Sequence, residues 1–287
     1  MDSSPRCGVV GGVAEAPATS TAGRRDGRTH MTDDPRTKVV VISMTDAAER
    51  RARFADRACN AGLAWQFVPA MTSLHPALRY AEEAAIVAKG RPLRAGELGC
   101  YSSHYAAWES LQTEDFDQCV VLEDDVIVDW TFLRKVVEVD LAAMGIDYLR
   151  LYYKWPTRHA VLKENFLERA RSIVELSGTA YGTQGYVITK AGARILLDHC
   201  RVVRRPIDDE MDRSWAHGVP NLAIFPFPIL EEASPTIIGN GRFETFEVPE
   251  HLRLKRLITR HSERWRLRVG RAVRRFRRYQ ARRRARL

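Results

Sequence analysis

The chain has 287 residues, a formal net charge of +9 and a 45% share of hydrophobic residues, enough to bury the core of one large or two small domains. Its five cysteines are widely spaced and form no Cys-x-x-Cys pair, which argues against a disulfide framework and a zinc site. No apolar run approaches the ~20 residues that cross a bilayer, so we expect a protein of the reducing cytosol rather than an integral membrane protein.

The first segment, residues 1–36, is rich in Ser, Thr, Gly, Ala and Pro and shows no periodicity. Such a composition buries too little apolar surface to offset the entropy of ordering, so we predict a disordered extension. Met31 lies just before the first convincing element, and the pattern leaves open whether translation starts at Met1 or at Met31.

Residues 37–245 alternate strand-like and helix-like segments, which predicts a single α/β domain. The first strand is expected over 38–43, and the spacing of Asp46 and Glu49 predicts a capping box that opens a helix to about Gly62. Further strands are predicted at 65–68, 147–153, 185–189 and 222–225, and helices at 80–89, 96–112, 129–144, 191–200 and 208–217.

An apolar run over residues 119–128 is interrupted by three consecutive acids, Glu123, Asp124 and Asp125. If the strand continued through them, Glu123 and Asp125 would share one face and Asp124 would point the other way. Paired carboxylates at the carboxyl end of a strand suit a hard cation such as Mg²⁺ or Mn²⁺, so we predict a metal site there. The alternative is a solvated, inert acidic turn.

Other candidates are polar residues in predicted helices. Glu97 and His104 are seven residues apart and therefore lie on one helix face, although a lone histidine on a helix is more often a core residue. Arg51 follows the first strand and could meet a diphosphate, or it could simply be solvated. Asp208 lies just after Pro206 in a first helical turn, where the helix dipole alone already favours an acid.

The C-terminal segment concentrates the positive charge. Residues 251–287 contain 16 Arg or Lys and one acid, a charge of +15, whereas the other 250 residues contain 29 basic and 35 acidic residues, a charge of −6. Spacings of three and four draw a mostly apolar helical stripe through Leu254, Ile258, His261, Trp265, Val269, Ala272, Phe276 and Tyr279. We favour a basic amphipathic helix over 246–287 that lies on an anionic membrane surface. The alternatives are a stripe packed on the globule and RNA binding by an arginine-rich arm.

Several motifs occur together in one order: a Val-Val-Val-Ile-Ser strand before Glu49-Arg50-Arg51, Gly-Glu-Leu-Gly-Cys-Tyr-Ser-Ser-His at 96–104, Val-Leu-Glu-Asp-Asp-Val at 121–126, Gly-Tyr-Val-Ile-Thr-Lys-Ala-Gly-Ala at 185–193, and Arg-Pro-Ile-Asp at 205–208. In this order they resemble glycosyltransferase family 25 over about residues 37–240. That family contains the lipooligosaccharide galactosyltransferases of bacteria and the collagen galactosyltransferases of animals.

The resemblance implies a GT-A-like (Rossmann-like) nucleotide-sugar-binding domain, a UDP-sugar donor, usually UDP-galactose, and inversion at the anomeric carbon. A divalent ion stabilises a leaving diphosphate, and single displacement needs a base for the acceptor hydroxyl. We expect the site to comprise Asp208 as the base or a further metal ligand with Glu97 as a competing base, Asp125 and Glu123 as ligands of Mn²⁺ or Mg²⁺, and Glu123, Asp124, Arg51 and His104 as donor contacts.

The resulting prediction is a hexosyltransferase that adds galactose or another hexose to lipopolysaccharide, lipooligosaccharide or another cell-surface glycan. We expect it to be cytoplasmic and peripheral on the inner face of the cytoplasmic membrane. Two other classes remain open: a noncatalytic RNA- or membrane-binding adaptor that uses the tail, and a metal-dependent phosphohydrolase or nucleotidyltransferase, which also needs clustered acids.

Overall fold

The computed structural model describes residues 36–232 and 246–284. The predicted disordered extension, apart from Arg36, and the alternative start at Met31 therefore lie outside the described residues, as does the end of the predicted 37–245 domain. The strands are β1 (Thr37–Ser43), β2 (Gln66–Pro69), β3 (Arg79–Tyr80), β4 (Gln118–Glu123), β5 (Val126–Val128), β6 (Tyr148–Arg150), β7 (His159–Lys163), β8 (Ser172–Leu176), β9 (Gly185–Thr189), β10 (Val202–Val203), β11 (Leu222–Phe225) and β12 (Ile229–Glu231). The helices are α1 (Ala48–Arg57), α2 (Glu82–Lys89), α3 (Ala95–Thr113), α4 (Trp130–Val137), α5 (Lys190–His199), α6 (Ile207–Met211), α7 (Ser214–His217) and α8 (Glu250–Arg284).

Eight strands form one mixed sheet in the order β2-β1-β4-β9-β6-β11-β8-β7. Six of them run in the same direction, and β9 and β8 run against their neighbours. Two short two-stranded sheets, β10-β3 and β12-β5, flank it. The prediction of an α/β fold built around a large sheet is confirmed.

Helices cover both faces of the sheet. Alternate residues of β1 point into different cores, with Val40 in one and Val41 in the other. The first core packs against α3 and α5, through residues such as Trp108, whereas the second packs against α1 and α4, through residues such as Phe54. Because β1 and β4 are covered on both faces, their sequences are unbroken apolar runs rather than alternating ones.

The sheet register sets the position of the candidate site. Ile42 of β1 pairs with Glu123 at the end of β4, and Leu122 pairs with Gly185 at the start of the antiparallel strand β9. The carboxyl end of β4 therefore lies beside the end of β1 and beside the loop that leads into β9. The acids that follow β4 meet residues from both neighbours there.

Two local predictions are wrong. Helix α1 begins at Ala48 after Ala47, whose side chain accepts no capping hydrogen bond, so the predicted capping box at Asp46 does not form. The strand does not continue through the acids: β4 ends at Glu123, Asp124 and Asp125 form a turn, and β5 starts afterwards. The alternation of faces along a strand consequently does not apply to the three carboxylates.

The final helix, α8, lies within the second described range and spans 35 residues. None of the helices in the described ranges is both long and apolar enough to cross a bilayer.

Candidate functional site

The candidate site lies where β4 ends, between α3, the loop before β9 and the start of α6. Glu123 is the central carboxylate, and its Oε1 accepts a short hydrogen bond from the hydroxyl of Thr183 in that loop. The same oxygen lies 3.6 Å from Nε2 of His104, which is on α3 and 1% exposed. Burial by itself raises the pKa of Glu123, but the contacts with His104 and Thr183 outweigh it, and the net pKa is lowered. Glu123 is thus held as a carboxylate.

A chain of hydrogen bonds behind His104 fixes its orientation. Trp108 Nε1 donates to the hydroxyl of Tyr186 at 2.8 Å, and that hydroxyl lies 2.9 Å from His104 Nδ1. These contacts hold the imidazole ring with Nδ1 towards Tyr186 and Nε2 towards Glu123. His104 therefore acts on the site through Glu123.

Asp124 joins the turn to the neighbouring elements. It is 3% exposed, accepts a hydrogen bond from Ser43 Oγ at 2.7 Å at the end of β1, and lies 3.3 Å from Arg50 Nη2 on α1. Burial raises its pKa. Because Asp124 contacts Ser43 on β1 and Arg50 on α1, it holds the turn in position.

Asp125 differs from the other two acids because one of its carboxylate oxygens lacks a hydrogen-bond partner within the described ranges. Its Oδ1 is buried and has no hydrogen-bond partner among the residues that the structure describes. Burial, reinforced by the charges of Glu123, Asp124 and Glu231, raises the pKa of Asp125 to about 7. A bound cation would supply the missing partner and relieve the repulsion among these carboxylates, so the residues fit a divalent metal ion.

Glu123 also belongs to a second possible set of metal ligands. Three potential ligand atoms lie within 4.8 Å of one another, one from each of Cys100, His104 and Glu123. Sulfur and imidazole donors suit transition metals better than Mg²⁺, whereas the carboxylates near Asp125 suit Mg²⁺ or Mn²⁺. Glu123 is the one ligand that both arrangements share.

Asp208 lies in the first turn of α6 and accepts two backbone hydrogen bonds. Its Oδ2 accepts from the backbone N–H of Gly182 at 3.2 Å, and Oδ1 accepts from the N–H of Asp209 at 2.8 Å. Burial raises its pKa, helped by the charges of Asp209 and Asp212, which the Gly182 hydrogen bond only partly offsets. Burial and the charges of Glu123 and Asp208 also raise the pKa of the Cys100 thiol well above its ordinary value. The charges of Glu123 and Asp208 therefore both reach the Cys100 thiol.

A fully buried ion pair fixes the loop that contacts both Glu123 and Asp208. Arg150 Nη2 lies 2.9 Å from Asp212 Oδ1, with side chains 1% and 0% exposed. Arg150 Nη1 donates to the carbonyl of Gly182 at 2.6 Å, while Asp212 Oδ2 accepts from the N–H groups of Ala180 and Tyr181 at 2.7 and 2.8 Å. The pair thus fixes the backbone that presents Thr183 to Glu123 and Gly182 to Asp208.

Sequence reasoning missed this loop and the pair that supports it. The nearest sequence signal is the motif that starts at Gly185, two residues after Thr183. Nothing in the spacing of Arg150 and Asp212 indicates that they meet.

Two other predicted site residues have different surroundings. Glu97 accepts two hydrogen bonds from the Arg91 guanidinium at 2.7 Å and one from the N–H of Arg94 at 2.9 Å, in a capping box at the start of α3. Burial raises the pKa of Glu97, but these hydrogen-bond donors outweigh it, and the net pKa is lowered. The Arg51 guanidinium stacks 4.5 Å from the ring of Phe67, so Arg50 rather than Arg51 reaches the carboxylates.

The chain matches the family model described as glycosyltransferase family 25 (LPS biosynthesis protein) over residues 36–211. It is 30% identical over 140 residues to a glycosyltransferase 25 family member of Aedes aegypti, a match that covers 46% of this chain and 23% of that protein. It is 33% identical over 110 residues to procollagen galactosyltransferase 1 of Danio rerio, covering 38% and 18% of the two chains. It is also 37% identical over 114 residues to a Bos taurus protein named probable inactive glycosyltransferase 25 family member 3, again covering 38% and 18%.

These matches span less than a quarter of each relative's length. The family model, by contrast, covers more than half of this chain and includes Glu97, His104, the three acids and Asp208. The family predicted from the sequence motifs is confirmed, and the chain belongs to glycosyltransferase family 25.

Proposed function

We propose that the protein is an inverting, GT-A-like hexosyltransferase that moves galactose or another hexose from a UDP-sugar to a cell-surface glycan with the help of a divalent ion. The observation that carries this proposal is the buried, unpartnered Oδ1 of Asp125 among the carboxylates at the end of β4. Clustered, uncompensated negative charge at the carboxyl edge of an α/β sheet suits a cation together with a phosphorylated ligand.

Each residue around the donor site has a task that its contacts support. Asp125 and Glu123 would hold Mn²⁺ or Mg²⁺, which when bound stabilises the negative charge of a leaving diphosphate. His104 and Thr183 keep Glu123 ionised and oriented. Asp124 keeps the turn attached to β1 through Ser43.

Asp208 is our candidate for the base that takes the proton from the acceptor hydroxyl. Its raised pKa makes it a better proton acceptor than an ordinary aspartate, and a base is most effective when its pKa approaches the working pH. Glu97 is less suited, because three hydrogen bonds from Arg91 and Arg94 stabilise its charged form and lower its pKa.

The choice of donor and acceptor rests on the relatives. The names of several relatives, such as procollagen galactosyltransferase 1, support galactose as the transferred sugar. The description of the family model supports a lipopolysaccharide-type acceptor. One relative is named probable inactive, so family membership does not replace a measurement of activity.

The test is release of UDP from UDP-galactose, with and without Mn²⁺ and with and without an acceptor oligosaccharide. A transferase requires the acceptor, a phosphohydrolase releases product without it, and an adaptor releases none. We expect Asp208→Asn to lower kcat by roughly 10²–10⁴-fold, because proton transfer to a positioned base contributes about that much, while UDP affinity changes little.

The control is Asp198→Asn, whose carboxylate is 68% exposed on α5 and should leave turnover unchanged. Equal loss of Mn²⁺ and UDP affinity in Asp208→Asn would make Asp208 a ligand rather than the base. Acceptor-independent release of UDP at the full rate would overturn the transferase proposal.

A further inference from the structure

Helix α8 has two faces with different surroundings. At about 100° per residue, Ile258, Trp265 and Phe276 lie within about 40° of Leu254 around the helix axis. Leu252, Arg256 and Glu263 lie about 160–200° from Leu254, on the opposite side. The first group is apolar, and the second is mainly charged.

The charged face is the one that contacts the globule. Arg256 donates to the carbonyls of Ile86 and Val87 at 3.3 and 3.1 Å, at the carboxyl end of α2. Glu263 accepts from Arg213 Nη2 at 2.6 Å. Leu252 is 3% exposed and packs against Ile86 and Val87. Helix α8 is therefore attached through specific polar contacts and one buried leucine.

The side chains of the apolar stripe are exposed, and Trp265 lines a groove between α8 and the globule that also includes Met144 and Trp215. Leu254 is 67% exposed, Ile258 60%, Trp265 65% and Phe276 62%. An amphipathic helix that packs on its own domain normally buries this face. Leu254, Ile258 and Phe276 therefore do not bury their side chains on the globule, and they form an exposed apolar surface of the kind that marks an interaction site.

Cations without acidic partners border the stripe. Five of them make no ion pair or hydrogen bond with any residue that the structure describes: Lys255, Arg260, Arg264, Arg266 and Arg268. Lys255 and Arg266 lie on one side of the stripe, and Arg264 and Arg268 lie on the other. Glu263, the acid in the middle of the helix, is turned towards the globule and paired with Arg213.

We propose that α8 binds an anionic lipid surface with this stripe while its opposite face keeps the catalytic domain attached. A layer of acidic headgroups over acyl chains complements a row of apolar side chains bordered by cations. A second copy of the helix would bring two arginine-rich borders together without acids to offset them. A nucleic acid would match the cations but leave the apolar stripe in water.

The attachment also connects the lipid-binding helix to the candidate base. Glu263 pairs with Arg213, whose guanidinium donates to Glu210 at 2.9 Å, and Glu210 lies on α6 with Asp208. Arg256 and Glu263 lie on the side of α8 opposite Leu254 and Ile258, so lipid bound to these two apolar residues would leave the polar attachment intact.

Co-sedimentation of the full chain with vesicles tests the proposal, with phosphatidylcholine vesicles compared against vesicles that also contain phosphatidylglycerol. The charge variant Lys255→Gln/Arg264→Gln should bind acidic vesicles roughly thirtyfold more weakly, as expected for two removed cations near the surface. The stripe variant Ile258→Ser/Trp265→Ala should lose the fraction of binding that high salt leaves in the wild type.

Trp155→Ala is the matched control, because Trp155 is 60% exposed on the globule and should bind like the wild type. The altered side chains are exposed, so the melting temperatures should be unchanged. Binding needs no sugar donor, and its failure is therefore distinct from a failure of the transferase proposal.

Three outcomes would overturn the inference. Equal binding to neutral and acidic vesicles, or no binding to either, would exclude an anionic lipid surface as the partner of α8. A wild-type dimer that the stripe variant converts to a monomer would identify a second copy as the occupant. Binding to an RNA oligonucleotide, without vesicle binding, would assign the helix to nucleic acid.

Discussion

The unpartnered carboxylate of Asp125 gives a quantitative prediction. Its pKa is raised from the ordinary value of 3.8 to about 7 in the folded protein, mainly by burial and next by the charge of Glu123. Between about pH 4 and pH 7 the folded protein therefore retains a proton that the unfolded chain has released, so the free energy of unfolding falls as the pH rises and levels off above about pH 7. At ~1.4 kcal/mol per pH unit, the upper limit of this loss is ~4 kcal/mol.

We expect Asp125→Asn to unfold like the wild type at about pH 4 and to be more stable at about pH 8, because the amide has nearly the same shape and no charge. Mn²⁺ should narrow this difference in stability. It should stabilise the wild type by ~2.7 kcal/mol at a hundredfold excess over its Kd and leave Asp125→Asn almost unaffected. UDP release by the variant should fall to background at all Mn²⁺ concentrations.

Urea unfolding at several pH values, with and without Mn²⁺, provides the measurement. Asp56→Asn, at an exposed position of α1, is the control and should follow the wild type throughout. If Asp125→Asn is no more stable than the wild type at about pH 8 without metal, the buried repulsion is absent; if Mn²⁺ stabilises both proteins equally, the ion binds elsewhere.

Two further predictions concern the framework. Asp212→Asn should lower the free energy of unfolding by ~3–5 kcal/mol, because it leaves Arg150 charged and buried without its partner. The surface variant Asp198→Asn should change the free energy of unfolding little. A loss below ~1 kcal/mol for Asp212→Asn in urea unfolding would show that water reaches Arg150. Gly192→Ala should cost ~1–3 kcal/mol, since a Cβ there would overlap the backbone carbonyl of Asp147, and an unchanged melting temperature would contradict that close approach.

The sequence by itself determined the α/β class, six of the eight strands of the large sheet and the family, whereas β7 and β8 were not predicted. Strands that are covered on both faces need apolar residues at every position, which is why β1 and β4 are visible as continuous runs. Helix α3 could be predicted because its motif is long, and His104 and Glu97 could be placed on one face by helical periodicity alone. The split of charge between residues 251–287 and the rest is likewise a property of composition.

The tertiary structure decided how these parts meet. The bond from Thr183 to Glu123 joins residues 60 apart, and the pair of Arg150 with Asp212 joins residues 62 apart. Both depend on β9 lying between β4 and β6 in the sheet order. Local patterns carry no information about such an order, because every apolar strand can pair with any other. The turn at Asp124 and Asp125 depends on Ser43, which supplies a partner from another strand.

Helix α8 likewise shows that a local pattern does not determine tertiary contacts. Periodicity shows that the helix has an apolar face, and the hydrophobic effect alone would predict that this face packs on the globule. The structure attaches the other face, because Arg256 donates to backbone carbonyls at the end of α2 and Glu263 pairs with Arg213. A sequence records which side chains a helix carries, but only the folded chain determines which of them meet a partner.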